Sequence, residues 1–227
     1  MSIMDDYLKE NSNDSVKFEK NSSITVKILT SEPVFSIPVF LYNTNGKTKR
    51  VNSIAWTRKR ERTSYKCPFI PLNVDNKGKH CEAKGQFTWP VLNCDLGTVQ
   101  MMKVSQFAIL RGFQALEEQI AKQNKAKGAA KTLSDFKIVI TRTDSSNKVD
   151  YGVSFAVDAA EPLTAKEQAV IDAALDDENE NNIWRKIDRE TQWPDQEYLD
   201  DQNIPVRLPP EFVNAAEKEL EADAIPF

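Results

Sequence analysis

The segment Phe136–Thr143, FKIVITRT, followed by DSSNK and then by Val149–Val157, VDYGVSFAV, decides the fold class. Both arms alternate, so Ile138 and Ile140 share one face while Val139 and Thr141 share the other. Two such arms around a short polar turn read as a β-hairpin. The chain upstream reads the same way. Ile24–Leu29 alternates, and Val34–Tyr42 is extended, with Pro33 and Pro38 suited to edge or bulge positions. Asn43-Thr44-Asn45-Gly46 is a hairpin turn whose Asn-Gly pair accepts positive φ, which joins Val34–Tyr42 antiparallel to a strand over Lys47–Phe69. Gln86–Leu92, QFTWPVL, is extended again, and Pro90 argues for an edge.

From Gln106 onward, Phe107, Ile109, Leu110, Phe113, Leu116 and Ile120 recur at helical spacing, with Ser105 as the N-cap. Gly112 inside this helix costs about 1 kcal/mol against alanine, which predicts close packing there. Gln119–Lys131 reads as a frayed helix end and a flexible basic loop. Leu163–Leu175 is a second, modest helix, with Thr164 and Glu167 as its capping box. Asp176–Asn182, DDENENN, has the composition of a linker, and Pro209–Leu220 reads as a last short helix. A mainly β chain with added helices results, its five strands and late helix fitting an OB-like five-stranded barrel followed by a partly helical acidic C-terminal region.

Charge divides the chain. Residues 1–160 carry 24 Lys and Arg against 16 Asp and Glu, whereas residues 161–227 carry 6 against 18. The expected organisation is a mobile lead-in over residues 1–22, a nucleic-acid-binding body over 23–160 and an acidic region over 161–227. Such asymmetry suits a body that binds a polyanion and a tail that competes for the same surface or recruits a partner. The three cysteines cannot all pair, which argues for a reducing compartment. No charged leader with an apolar run opens the chain, and no run approaches the roughly 20 apolar residues of a membrane span. A soluble intracellular protein is expected.

The ligand surface is read from Lys47–Phe69, KTKRVNSIAWTRKRERTSYKCPF. Lys47, Lys49, Arg50, Arg58, Lys59, Arg60, Arg62 and Lys66 surround Trp56, Tyr65 and Phe69, and only Glu61 interrupts the positive sign. Cations attract phosphates, and bases stack on rings. Trp89 is a further stacking residue, with Arg142 and Tyr151 as contacts on the second hairpin. A lysine-rich edge strand that deters aggregation is the competing reading of a basic run alone.

Enzymatic constellations are scarce. His80 is the one histidine, no Gly-x-Ser-x-Gly or phosphate-binding loop occurs, and the acidic pairs Asp176-Asp177 and Asp200-Asp201 lie in polar surroundings. No enzyme and no cofactor are expected. Cys67, His80, Cys81 and Cys94 have the number and softness of a Cys₃His zinc site, but no C-x₂-C pair exists and adjacent His80 and Cys81 would both have to turn inward. The other reading makes Cys67 and Cys94 small core or edge residues.

The ending Asp223-Ala224-Ile225-Pro226-Phe227, behind an acidic stretch, is similar to the Asp-Ile-Pro-Phe tip of bacterial and phage single-stranded-DNA-binding proteins, with Ala224 inserted. Leu133–Val157, through Thr141-Arg142-Thr143 and Tyr151-Gly152-Val153, resembles a hairpin of phage proteins of this class. Trp56 with the basic run and Tyr65-Lys66-Cys67-Pro68 resembles the core of T-even-type phage single-strand binders. The resemblance implies sequence-independent binding of single-stranded DNA in phage replication, recombination and repair, in the cytoplasm of an infected bacterial host. It also implies recruitment of replication or recombination proteins by Asp223, Ala224, Ile225, Pro226 and Phe227. The alternative left open is a protein-interaction or transcription-regulating factor whose acidic tail contacts a polymerase.

Overall fold

In the computed structural model, residues 14–42, 48–74, 78–146, 148–180, 182–209 and 212 are described. They fall into two compact units, residues 1–34 with 87–190 and residues 35–86 with 191–227.

The first unit is organised on β1 (Ser22–Ile28), which pairs antiparallel with β5 (Gln86–Asn93) on one side and β7 (Lys137–Ser145) on the other. The expected hairpin is present: β7 returns as β8 (Lys148–Phe155), with Ile138 opposite Phe155 and Ile140 opposite Val153. β6 (Thr98–Val104) pairs with β5 beyond this core. With the short β2 (Val34–Ser36), at which the chain leaves the unit, they form a six-stranded antiparallel sheet. The molecule is mainly β with helices, but the sheet is open, and no described strand joins β6 to β8 to complete a barrel. The extended segments expected to close it, β3 (Pro38–Tyr42) and β4 (Thr48–Asn52), make a separate two-stranded sheet in the second unit. Their inward residues Val39, Leu41 and Val51 belong to a different core.

β6 has no counterpart among the expected strands because both of its faces are covered. Met102 and Val104 enter the main core, while Val99 and Met101 meet Ile183 and Ile187. A strand buried on both sides loses the polar alternation that reveals strands. β5 is likewise interior, so Pro90 is not at an edge. Its ring nitrogen sits where the β1 ladder runs out, and Leu29 N–H donates to its carbonyl at 3.0 Å.

α1 (Phe107–Lys127) buries Ile109, Phe113, Leu116 and Ile120 as the spacing predicts, but Phe107 points outward under the Arg111 guanidinium, 4.5 Å from its ring centre. Ser105 is not the cap; Gln106 holds that position without a side-chain bond. The helix does not fray at Gln119. It runs to Lys127 and ends on Gly128 at φ 62, with Asn124 donating to the Lys131 carbonyl at 2.7 Å.

Residues 14–22, expected as a lead-in, lie along this unit. Val16 N–H donates to the Met101 carbonyl at 2.9 Å, and Val16 and Phe18 pack on the main core. The acidic region is partly helical, in α2 (Ala165–Leu175), α3 (Ile183–Thr191) and α4 (Gln196–Asp201). The Thr164 and Glu167 capping box opens α2 as expected. The stretch expected as a linker ends on a buried residue: Asn182 donates to the carbonyls of Leu175 and Asp176, and its Oδ1 accepts from Trp184 N–H at 2.7 Å. Most of the helix expected at residues 209–220 lies outside the described residues.

Candidate nucleic-acid interface

The second unit carries most of the basic run. β3 and β4 pair antiparallel with Val39 opposite Val51 and Phe40 opposite Arg50. Val39, Leu41 and Val51 join Ile54, Phe69, Leu199, Ile204, Val206, Leu208 and Phe212 in one core. By the period of two, Phe40 and Arg50 face the other way. The Asn-Gly turn between the strands and Lys47 lie outside the described residues.

The basic stretch is not one strand. β4 stops at Asn52, and residues 55–63 fold back on themselves as a tight turn. Thr57 N–H donates to the Glu61 carbonyl at 2.8 Å, Thr63 N–H to the Ala55 carbonyl at 3.0 Å, and Trp56 pairs across with Arg62. Thr63 Oγ1 pins the base of the turn through the Ile54 carbonyl at 2.7 Å. Four cations are thereby gathered on one tip, with Lys59, Arg60 and Arg62 exposed and Arg58 half-buried. Arg60 adopts φ 66, a left-handed backbone that glycine takes without cost.

Trp56 stands at the base of the tip, half-buried, with its ring edge-on to Phe35 at 5.9 Å between centres. Its carbonyl accepts a hydrogen bond from Trp193 Nε1 at 3.1 Å. Lys66 is exposed, Lys49 is half-buried, and Arg50 Nη2 donates to Gln86 Oε1 at 3.0 Å. Tyr65 is half-buried against Phe212, 5.3 Å between ring centres. Phe69 does not reach the surface at all, being 0% exposed at the centre of the second core. Its expected stacking role gives way to packing: Phe69 caps a short 3₁₀ turn over Ile70–Leu72, with Pro68 before it and Pro71 within it, and the ring tucks inward.

The remaining expected contacts lie in the first unit. Trp89 is 7% exposed, wedged between Phe87 and Phe113 at 6.0 and 5.6 Å, and presents no open ring face. Arg142 is committed internally: Nε and Nη2 donate to the Asp144 carboxylate at 2.6 and 2.8 Å, and Nη1 to the Phe18 carbonyl at 2.7 Å. Asp144 holds that guanidinium above its usual range. Tyr151 is half-buried and packs edge-on to Phe18 at 5.9 Å.

Phe40 is the aromatic residue that sequence reasoning passed over. It is 39% exposed, and its signal was the inward pair Val39 and Leu41 on either side of it.

Of the four residues considered for zinc, Cys67, His80 and Cys81 lie in the second unit and Cys94 in the first. No group of three or more His, Cys, Asp or Glu could hold an ion among the described residues. Asn73 Nδ2 donates to Cys81 Sγ at 3.3 Å, Cys67 packs on the second core, His80 is exposed, and Cys94 belongs to the other unit. Burial pushes the Cys94 thiol up, away from the thiolate that zinc requires. Residues 223–227 lie outside the described residues. No described helix is long and apolar enough to cross a membrane.

No protein family, no curated protein and no solved structure matches the chain.

Proposed function

We propose that this protein binds single-stranded DNA without regard to sequence, through the basic turn at residues 55–63 and the half-exposed Trp56 at its base. One observation carries the reading. Exposed Lys59, Arg60 and Arg62 crowd a turn held by its own hydrogen bonds, and Arg60 occupies a backbone conformation that costs a non-glycine residue roughly 1–2 kcal/mol. Like charges concentrated at such a cost point to a polyanionic ligand rather than to fold stability. Lys49, Arg50 and Lys66 extend the positive field within the same unit. The mechanism needs no bond chemistry. Phosphates displace counterions from the cations, and an unpaired base covers the open part of the indole. Residues 223–227, with the acidic stretch before them, compete with the strand and recruit replication or recombination proteins by filling an apolar pocket rimmed with cations. A barrel of the OB kind is not required, since a short hairpin and its turn supply both charge and ring.

Fluorescence anisotropy with an oligo-dT probe across a salt series tests this. The expected log–log slope is about −0.7 per phosphate neutralised. Reversing Lys59 and Arg62 to glutamate should flatten it by at least one such step and weaken binding at every salt concentration. Equal competition by duplex DNA, or an unchanged slope in the double variant, would defeat the proposal.

A further inference from the structure

We infer that the outer face of the β3–β4 hairpin is a second base-stacking platform, formed by Phe40 and Tyr198 on either side of Arg50. It rests on the single-strand reading above and extends it to two aromatic residues that reading does not use.

The backbone sets the arrangement. Phe40 N–H donates to Asn73 Oδ1 at 2.8 Å, and the Phe40 carbonyl accepts from Val74 N–H at 2.9 Å. Both of its polar groups therefore turn away from β4, which makes Phe40 and Arg50 a non-hydrogen-bonded cross-strand pair. Side chains of such pairs stand closest, on α-carbons about 4.5 Å apart. Arg50 correspondingly turns its own carbonyl away from β3, and Tyr198 Oη, reaching in from α4, donates to it at 3.4 Å. Phe40 thus lies across from Arg50 on β3, and the Tyr198 phenol meets the Arg50 main chain at the other edge of β4. Phe40 and Tyr198 are each 39% exposed.

Charge chooses the occupant. The patch has Arg50 at its middle, and the 55–63 turn of the same unit carries four further cations. Flat apolar faces interleaved with positive charge suit unpaired nucleobases on a phosphate backbone, whereas duplex DNA keeps its base faces stacked and out of reach. Exposed Ile70 and Leu72 border the patch, on the loop bonded along the outer edge of β3. They widen the apolar floor without adding charge. A protein partner would use the same apolar area, and the test separates the two.

The full chain is titrated with a dT oligomer and with an abasic oligomer of the same length, which keeps the phosphates and removes the bases. Phe40→Ala should weaken dT binding about 5- to 150-fold, the range for losing a stacked base, and leave abasic binding unchanged. Tyr198→Ala should act in the same direction, and Tyr198→Phe, which keeps the ring, should bind as wild type. Oligomers carrying 5-bromodeoxyuridine should photo-cross-link to peptides containing Phe40 or Tyr198. Unfolding midpoints check that each variant is folded. If wild type binds dT but Phe40→Ala keeps the dT-over-abasic ratio and cross-links fall only near Trp56, the platform is refuted, the patch is a protein-docking surface, and the single-strand reading stands. If wild type binds neither oligomer, the single-strand reading itself fails.

Discussion

Gly112 lies in the middle of α1, where helix propensity disfavours it, and a methyl group there would come within 2.5 Å of Val153 Cβ and Cγ2 on β8. Helix and strand approach too closely for any side chain. Replacement by alanine gains about 1 kcal/mol of helix propensity but overpacks the interface, at a typical cost of 1–3 kcal/mol. Gly112→Ala should therefore lower the urea midpoint, and Val153→Ala in the same chain should restore part of it, a coupling that a double-mutant cycle measures. Additive losses would show that the contact is not the cause. Arg60 presents the opposite case, a residue whose backbone favours glycine and whose side chain is exposed on the turn proposed to bind DNA. Arg60→Gly should leave stability equal or higher while weakening oligo-dT binding; a variant that binds as tightly as wild type would remove Arg60 from the interface.

Among the elements, α2 shows how local chemistry ties a helix to a sheet. Lys137 on β7, only 8% exposed, places Nζ 3.1 Å from Asp158 and 3.3 Å from Glu167, the N3 residue of the α2 capping box. Burial pulls the ammonium down, but its hydrogen bonds to the two carboxylates prevail and hold it above the usual lysine range. Glu167 is held below the carboxylate range by the Thr164 backbone N–H and hydroxyl and then by Lys137. Asp158 is lowered by the Lys137 hydrogen bond first. Groups with lowered values stabilise the fold above their unfolded pKa of about 4 and lose that contribution as pH falls through the folded one. Lys137, being raised, contributes fully below about 10.4 and loses its share as pH climbs through its folded value. Urea midpoints should accordingly drop between pH 5 and 3, and Glu167→Gln should flatten that acid limb; an identical limb in the variant would assign it elsewhere.

At the scale of the whole molecule, the acidic C-terminal region contributes to both units. Residues 161–190 belong to the first unit, and residues from 191 help to build the core of the second. Trp193 and Phe212 pack at 5.1 Å, Phe212 is 1% exposed, and Asn52 donates to the Gln192 carbonyl at 2.9 Å. Removal of the chain from residue 211 would take Phe212 with it and empty that core, at a cost of roughly 3–5 kcal/mol. A cut after Phe212 spares it and removes residues 213–227, with four acids against one lysine. That shorter deletion should keep the unfolding midpoint, tighten oligo-dT binding at low salt and abolish partner capture. No change in either binding assay would rule out a competing tail.

Composition and periodicity alone determined the β7–β8 hairpin, the buried stripe of α1, the capping box of α2 and the pairing of β3 with β4, because each depends on residues close in sequence or on a period visible in one strand. The gathering of cations around Trp56 was legible as a run but not as a tight turn, since its shape depends on hydrogen bonds between Thr57, Glu61 and Thr63. Only the tertiary structure decided which rings reach water. Phe69 and Trp89 read from the sequence as stacking rings, yet packing buries both and leaves Phe40 exposed. It also decided that the sheet stays open and that Leu199, Ile204, Val206, Leu208 and Phe212 of the acidic region close the second core against segments more than a hundred residues away, which no local pattern encodes.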